Sequence, residues 1–192
     1  GLIRKADSMF NTPLICVKAS DGSYKVLQDF RELNGKLKKQ TIKFKEIHEH
    51  LGPIEREKSS IFTTLDLSGT ALQLRLTPQQ SEITAFSCPG MGQFQWTQAP
   101  IHLAGAKVVM HRLLESTVGH LPGVIVRLSQ VIIHAPDAQT HLERVREVLK
   151  ALRKRNLRVN LDESIFASDK AMVMGFTLSN GQARVHPGLM DI

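Results

Sequence analysis

Between Asp137 and Asn156, Leu142, Val145, Leu149 and Leu152 recur at three- and four-residue intervals. Only an α-helix gathers such positions onto one face. Arg144, Lys150, Arg153 and Lys154 fall mostly off that stripe, and Asp137 stands where it can cap the first turn. A lone amphipathic helix cannot bury its own stripe, so the rest of the chain must supply a layer to cover it. The flanking sequence offers short strands. Val124-Ile125-Val126 and Val131-Ile132-Ile133 surround a polar break at Ser129-Gln130, and Val159, Ile165-Phe166 and Met172 to Leu178 follow the helix. Such runs, bounded by turn residues, predict antiparallel hairpins. The helix stripe itself is expected to pack on the resulting sheet.

The same punctuation recurs upstream. Leu14 to Val17 and Tyr24 to Leu27 flank the turn cluster Ser20-Asp21-Gly22-Ser23, and Phe86 to Trp96 turns at Pro89-Gly90-Met91-Gly92. Ile61 to Leu67 and Leu72 to Leu76 suit buried strands, whereas Ile101 to Val118 has helical spacing. The charged stretch Lys36 to Lys58 places Phe44, Ile47 and Leu51 at helical intervals, with a stop expected at Leu51-Gly52-Pro53. A further turn is expected at Ser179-Asn180-Gly181. Hairpins interleaved with helices predict an α+β fold with a mainly antiparallel sheet packed on helices. At 192 residues, this is one large domain or two joined subdomains.

Composition removes several classes. A hydrophobic fraction of 42% is that of a globular chain and not of a disordered one. The longest apolar stretch, Val124 to Ile133, is interrupted by Arg127, Ser129 and Gln130, so no membrane span is expected. Gly1-Leu2-Ile3-Arg4-Lys5 lacks the apolar segment of a secretory signal, and the missing initiator Met suggests a fragment. Cys16 and Cys88 read as reduced core residues of an intracellular protein, nuclear or cytoplasmic. Phe94 and Trp96, at strand spacing, read as core. On a helix, His48 and His50 would point apart around Glu49, so these residues are expected to be solvated; no metal and no cofactor is expected.

The net charge is +7. Lys36, Lys38, Lys39, Lys43 and Lys45 form one basic stretch; Arg144, Arg146, Lys150, Arg153, Lys154, Arg155 and Arg158 form another. Each is either a solvated face or a surface with non-specific attraction for phosphate. An aromatic content of 5% provides few platforms for stacking bases.

Several motifs then occur in one order. Asn11-Thr12-Pro13-Leu14, Asp21-Gly22-Ser23-Tyr24 and Asp29-Phe30-Arg31-Glu32-Leu33-Asn34 are followed by Thr64-Leu65-Asp66-Leu67 and Gln73-Leu74-Arg75-Leu76. Thr84-Ala85-Phe86, Phe94-Gln95-Trp96-Thr97, Leu121-Pro122-Gly123-Val124-Ile125-Val126, the segment His141 to Leu157 and Met174-Gly175-Phe176 come next. Together they resemble the reverse transcriptase domain of Ty3/gypsy-type retrotransposons and retroviruses over nearly the whole chain. The resemblance implies polymerase-like fingers, at about 1–60 and 78–100, and a palm, at about 61–77 and 101–192, without thumb, connection or ribonuclease H region. It also implies two magnesium ions held by three aspartates, since phosphoryl transfer needs metals that bridge the attacking and leaving oxygens.

On that resemblance the first aspartate is Asp66, but the Tyr-x-Asp-Asp turn falls on Arg127-Leu128-Ser129-Gln130. A hydroxyl and an amide supply no charge for Mg²⁺. The aromatic gate falls on Ala71 and the triphosphate-contacting lysine on Ala19, although Lys25 keeps a neighbouring basic contact. The loop under the nucleotide reads Pro100-Ile101-His102 with Ala104-Gly105-Ala106 after it, and the lysine region proposed to protonate pyrophosphate reads Asp162-Glu163. Asp66 is either a relic metal ligand or a structural residue capping the turn at Ser68-Gly69. Arg127 and Ser129, expected on one strand face, point to Arg127 or another cation as the group that neutralises it. The implied function is a catalytically inactive, retrotransposon-derived module in host use, binding a protein partner or its own copy, with no membrane and no small-molecule substrate. One alternative is a nucleic-acid binder using Lys25, Arg75, Arg127, Arg153 and Lys154; a second is an active polymerase with Asp162 and Glu163 as relocated ligands.

Overall fold

In the computed structural model the short apolar runs pair as antiparallel hairpins wherever a turn residue takes a left-handed backbone. The structure describes residues 1–18, 22–42, 47–67, 69 and 71–185, and in addition leaves the side chains of Lys25, Ile47, Ala71 and Leu72 undescribed. Expectations for Ala19, the Ser20-Asp21 turn, Lys43, Phe44, Lys45, the Ser68 cap and the Ala71 side chain therefore lie outside the described residues.

In chain order the elements are β1 (Ile3–Lys5), β2 (Leu14–Lys18), β3 (Tyr24–Gln28), α1 (Arg31–Lys36), α2 (Ile47–Glu57), β4 (Ile61–Asp66) and β5 (Ala71–Arg75). Then come α3 (Pro78–Glu82), β6 (Phe86–Cys88), β7 (Gly92–Trp96), β8 (Gln98–Pro100), α4 (Ala106–Val118), β9 (Val124–Arg127) and β10 (Gln130–Ala135). The chain continues through α5 (Ala138–Lys154), β11 (Asn160–Ser168), β12 (Lys170–Val173), β13 (Phe176–Ser179) and β14 (Gln182–Val185). Two compact units result: residues 1–41 with 69–107, and residues 42–68 with 108–192. No helix among the described residues is long and apolar enough to cross a membrane.

The first unit contains the pairs β2–β3 and β5–β8 and the sheet β1-β7-β6, all antiparallel. Gly90 and Gly92 adopt φ of +74° and +94° and close the β6–β7 hairpin at the expected turn. Phe94 stacks on Phe86 with centroids 6.0 Å apart, and Trp96 Nε1 donates to Gln28 Oε1 at 2.6 Å. Thr77 and Gln80 form a reciprocal capping box at the start of α3, a local motif that the sequence carried in plain view. The helix expected from Ile101 begins only at Ala106. Residues 102–104 are instead held by Asn34, whose Nδ2 donates to the His102 carbonyl (3.0 Å) and whose Oδ1 accepts from the Ala104 N–H (2.7 Å). Cys16 is exposed and Cys88 half-buried, against the expectation of core thiols. Among the described residues the β2–β3 ribbon pairs only with itself, and Cys16 is exposed beside Val26, its cross-strand neighbour.

The second unit is built on the antiparallel sheet β11-β4-β10-β9. Residues 131–135 of β10 are buried without interruption, as a central strand covered on both faces requires, with His134 the one polar side chain among them. Helix α5 begins where expected, with Asp137 Oδ1 accepting the Thr140 N–H at 2.9 Å, and it packs on β10 and β4 through Val148 and Leu152. Its outer stripe is not covered, however: Leu142 is 45% and Leu149 39% exposed. The expected stop at Gly52-Pro53 is also overturned, since α2 runs through Pro53 to Glu57. A proline here forfeits one helical hydrogen bond, but Ile54 is fully buried in a cluster with Phe62, Ile125, Ile132, Val173 and Leu178, and that packing holds the helix on course. Met172 to Leu178 is two strands and not one, because Met174 and Gly175 both take positive φ and turn the chain. Asn180-Gly181 makes the next turn in the same way, as expected from sequence.

One partly buried polar network ties these layers together. Arg144 forks onto Glu57 (2.8 and 3.2 Å) and also donates to the His134 carbonyl (2.6 Å), so it is a clamp and not part of a solvated basic face. The hydrogen bond from Arg144 holds the Glu57 carboxyl below its usual range. Ser59 Oγ lies 2.8 Å from His134 Nδ1, and burial pushes that imidazole down to about 4 despite the nearby Glu57 carboxylate.

Candidate active site

The residues singled out at the candidate metal site converge because of strand register. A two-residue turn, Leu128-Ser129, joins β9 to β10; Leu128 takes φ +52°, and Arg127 pairs with Gln130 to close it. Gln130 in turn pairs with Asp66 at the end of β4, and Asp66 pairs on its other side with Asn160 of β11. Directly opposed residues of antiparallel strands share a face. Arg127, Gln130, Asp66 and Asn160 thus form one cross-strand row.

Asp66 is 7% exposed. Gln130 Nε2 donates to Asp66 Oδ2 at 3.2 Å. The backbone N–H of Asp66 donates to Ser164 Oγ (2.9 Å), which itself donates to the Asn160 carbonyl (2.5 Å). Ser129 is buried in the turn, and its carbonyl accepts the Leu67 N–H at 2.9 Å. Arg127 and Ser129 therefore do not stand together on one strand face as expected, because Ser129 belongs to the turn. Arg127 shares the face of Asp66, two strands away with β10 between them.

Chemically, this row presents a carboxylate beside an amide and, in the turn, a hydroxyl. Amide and hydroxyl oxygens are neutral, and the amide offers its N–H donor to the carboxylate, which is the opposite of what a divalent cation requires. The residues do not fit a pair of magnesium ions. Among the described residues no three His, Cys, Asp or Glu side chains gather as a metal-binding group. His48 and Glu49 are exposed on α2, and Asp162 and Glu163 are exposed on β11.

The basic residues divide between the units. Arg75 is exposed at the end of β5 and, with Arg4, lines a cavity of about 420 Å³ in the first unit. With the Gln95 amide oriented by its hydrogen bonds, Arg4 donates twice to the side-chain oxygen (2.8 and 3.0 Å). The Lys25 side chain lies outside the described residues. Arg153 and Lys154 are exposed in the last turn of α5 in the second unit, where cations favour the helix dipole. The Gln130–Asp66 bond, Asn160 and Ser164 escaped sequence reasoning, since only the register brings them to Asp66.

No protein-family model matches the chain. In sequence it is 27% identical over 194 residues to the retrovirus-related Pol polyprotein from transposon opus of Drosophila melanogaster, covering 97% of this chain and 19% of that protein. It is 29% identical over 195 residues to the corresponding polyprotein from transposon gypsy of the same organism, with the same coverage. The chain thus spans about a fifth of the length of these relatives. Among solved structures, the foamy viral protease-reverse transcriptase in complex with double-stranded DNA superposes with a TM-score of 0.80 at 21% identity, covering 99% of this chain and 33% of that one. An antiparallel α+β architecture, the ordered motifs around Asp66 and these relatives agree: the chain has a reverse-transcriptase-like fold and is similar along nearly its whole length to retrotransposon polyproteins.

Proposed function

We propose that this domain is catalytically silent and serves as a protein-interaction or scaffold module. The observation that carries this is the Gln130 amide bonded to Asp66 where the family's turn would place a second carboxylate. Each metal contribution to phosphoryl transfer is worth several kcal/mol, and about 1.4 kcal/mol corresponds to a factor of ten in rate, so a single carboxylate supports no useful turnover. Departures at Ala71, Ala19 and Asp162-Glu163 point the same way. On this reading the fingers comprise about 1–60 and 78–100 and the palm about 61–77 and 101–192.

Primer extension on an RNA or DNA template, with Mg²⁺ or Mn²⁺, tests the proposal against an Asp66→Ala control. Blank lanes for both are expected; extension by the wild-type chain that disappears in the control would overturn it. A second reading, residual nucleic-acid binding, is favoured by the duplex held by the foamy viral structure and by exposed Arg75, Arg153 and Lys154. It requires affinity that falls steeply with salt. Absence of any mobility shift at low salt removes it.

A further inference from the structure

We propose that the groove between α5 and β11 receives an acidic amphipathic helix from a protein partner. This deepens the interaction reading given above and rests on it. The groove begins with the uncovered stripe of α5. Leu142 and Leu149 are 45% and 39% exposed, and across from them on β11 Phe166 and Leu161 are 47% and 69% exposed. Large apolar side chains exposed together along one helix and the strand beside it are candidates for an interaction surface.

The line has shape as well as polarity. Leu142, Val145 and Phe166 line a cavity of about 490 Å³, and Leu149, Leu152 and Leu161 line a second of about 460 Å³ farther along the same helix. The helical rise places Leu142 and Leu149 about 10 Å apart, the distance between positions i and i+7 of an opposing helix. Two side chains on one face of a partner helix can therefore fill both cavities.

Charge selects the occupant. Arg146, Lys150 and Arg153 follow one another at helical spacing along the outer bank of the stripe, all exposed and none with a carboxylate partner among the described residues. A second copy docked on this face by two-fold symmetry would set this basic row against itself, on a chain that already carries +7. Nucleic acid would answer the charges but not the leucines. A helix with leucines on one face and Asp or Glu beside them answers both.

The test uses the full chain and a labelled synthetic helical peptide with leucines at i, i+3 and i+7 and glutamates on the flank that faces Arg146, Lys150 and Arg153, away from the acidic Asp162 and Glu163 of β11. A twin peptide carries lysines in place of the glutamates. By fluorescence anisotropy the acidic peptide should bind with an affinity that falls as salt rises, and the lysine twin should bind at least about tenfold more weakly. Leu142→Asp should weaken the acidic peptide about tenfold or more. The double variant Arg146→Glu, Arg153→Glu should reverse the preference between the two peptides. These side chains are exposed, so circular dichroism and melting should match the wild type. No binding, equal binding of the twins, or binding indifferent to Leu142→Asp would overturn the proposal. So would a concentration-dependent dimer in sedimentation that Leu142→Asp abolishes, because the groove would then belong to a second copy. Either failure leaves the primer-extension result standing, which separates it from a failure of the pseudoenzyme reading.

Discussion

Replacing Gln130 with aspartate restores by one residue the charge that the reverse-transcriptase turn would carry, and its cost follows from the site. In the wild type the amide donates to a carboxylate that is 7% exposed, at 3.2 Å. A hydrogen bond to a charged group is worth about 1.5–3 kcal/mol, and Gln130→Ala should lose about that much. Gln130→Asp loses it too and adds repulsion between two carboxylates, about 4 kcal/mol at a separation near 4 Å and an effective dielectric of about 20. Sharing a proton relieves part of this, because the pair's titration moves upward when two anions cannot both be accommodated. The sign of the pH dependence follows. A carboxyl whose folded pKa is raised contributes stability below its unfolded pKa and loses it as pH rises. The deficit of Gln130→Asp should therefore be largest at pH 8, up to about 6 kcal/mol from the two terms together, and shrink toward pH 4. Urea denaturation in EDTA at several pH values measures it, with Gln130→Ala as reference. Mg²⁺ should recover part of the deficit in Gln130→Asp and more of it in the double variant Ser129→Asp, Gln130→Asp. If Gln130→Asp is as stable as wild type at pH 8 without metal, Gln130 does not hold Asp66 and the reasoning fails.

His134 makes a second prediction in acid. Its folded pKa near 4 lies below the ordinary 6.5, so from pH 6.5 down to about 4 only the unfolded chain takes up its proton, and stability should fall by about 1.4 kcal/mol per pH unit, about 3 kcal/mol in all. Burial also lowers His141, which adds loss in the same direction, and Glu57, held low by Arg144, extends the loss below pH 4.5; urea titrations should show the slope flattened in His134→Gln, and an unchanged slope would remove His134 as its source. Gly123→Ala should lower the melting temperature through a loss of about 2 kcal/mol or more, since Gly123 takes φ +68° and an added Cβ would strike the Arg144 guanidinium and the His134 carbonyl, 2.5 Å away. A wild-type Tm for this variant would show that the Arg144 clamp tolerates displacement.

The elements that were legible in sequence are those whose signals are local. The cap at Asp137, the period of α5 and the turn at Asn180-Gly181 each depend on residues within a few positions of one another. Met174 carries no such signal, because a methionine rarely takes a positive φ, and the hairpin it opens read as a single strand. Pro53 gave a false stop: the burial of Ile54 and Phe62 outweighs one missing helical bond, and that packing is contributed by β9, β10, β12 and β13. Periodicity also fixed which face of α5 is apolar but not whether anything covers it. The answer depends on β11, whose pairing with β4 shifts register twice and which lies at the sheet edge, leaving Leu142 and Leu149 uncovered.

At the candidate site, residue identity was legible and partnership was not. The resemblance to reverse transcriptase motifs singled out Asp66, Ser129 and Gln130, but a one-residue slip of β10 would turn Gln130 to the opposite face. The two-residue Leu128-Ser129 turn sets Arg127 against Gln130, and hence Gln130 against Asp66. On the proposed reading, this pairing gives the glutamine at 130 a physical meaning beyond the absence of a ligand. Three buried carboxylates repel one another unless cations stand between them, so a palm that loses its metals while keeping its aspartates is left with uncompensated charge. Exchanging one for a hydroxyl and one for an amide removes the repulsion, and the amide then supplies the donor that a buried Asp66 requires. On the proposed reading, this arrangement holds Asp66 without any ion, and Asp66 and Gln130 act as a single structural unit.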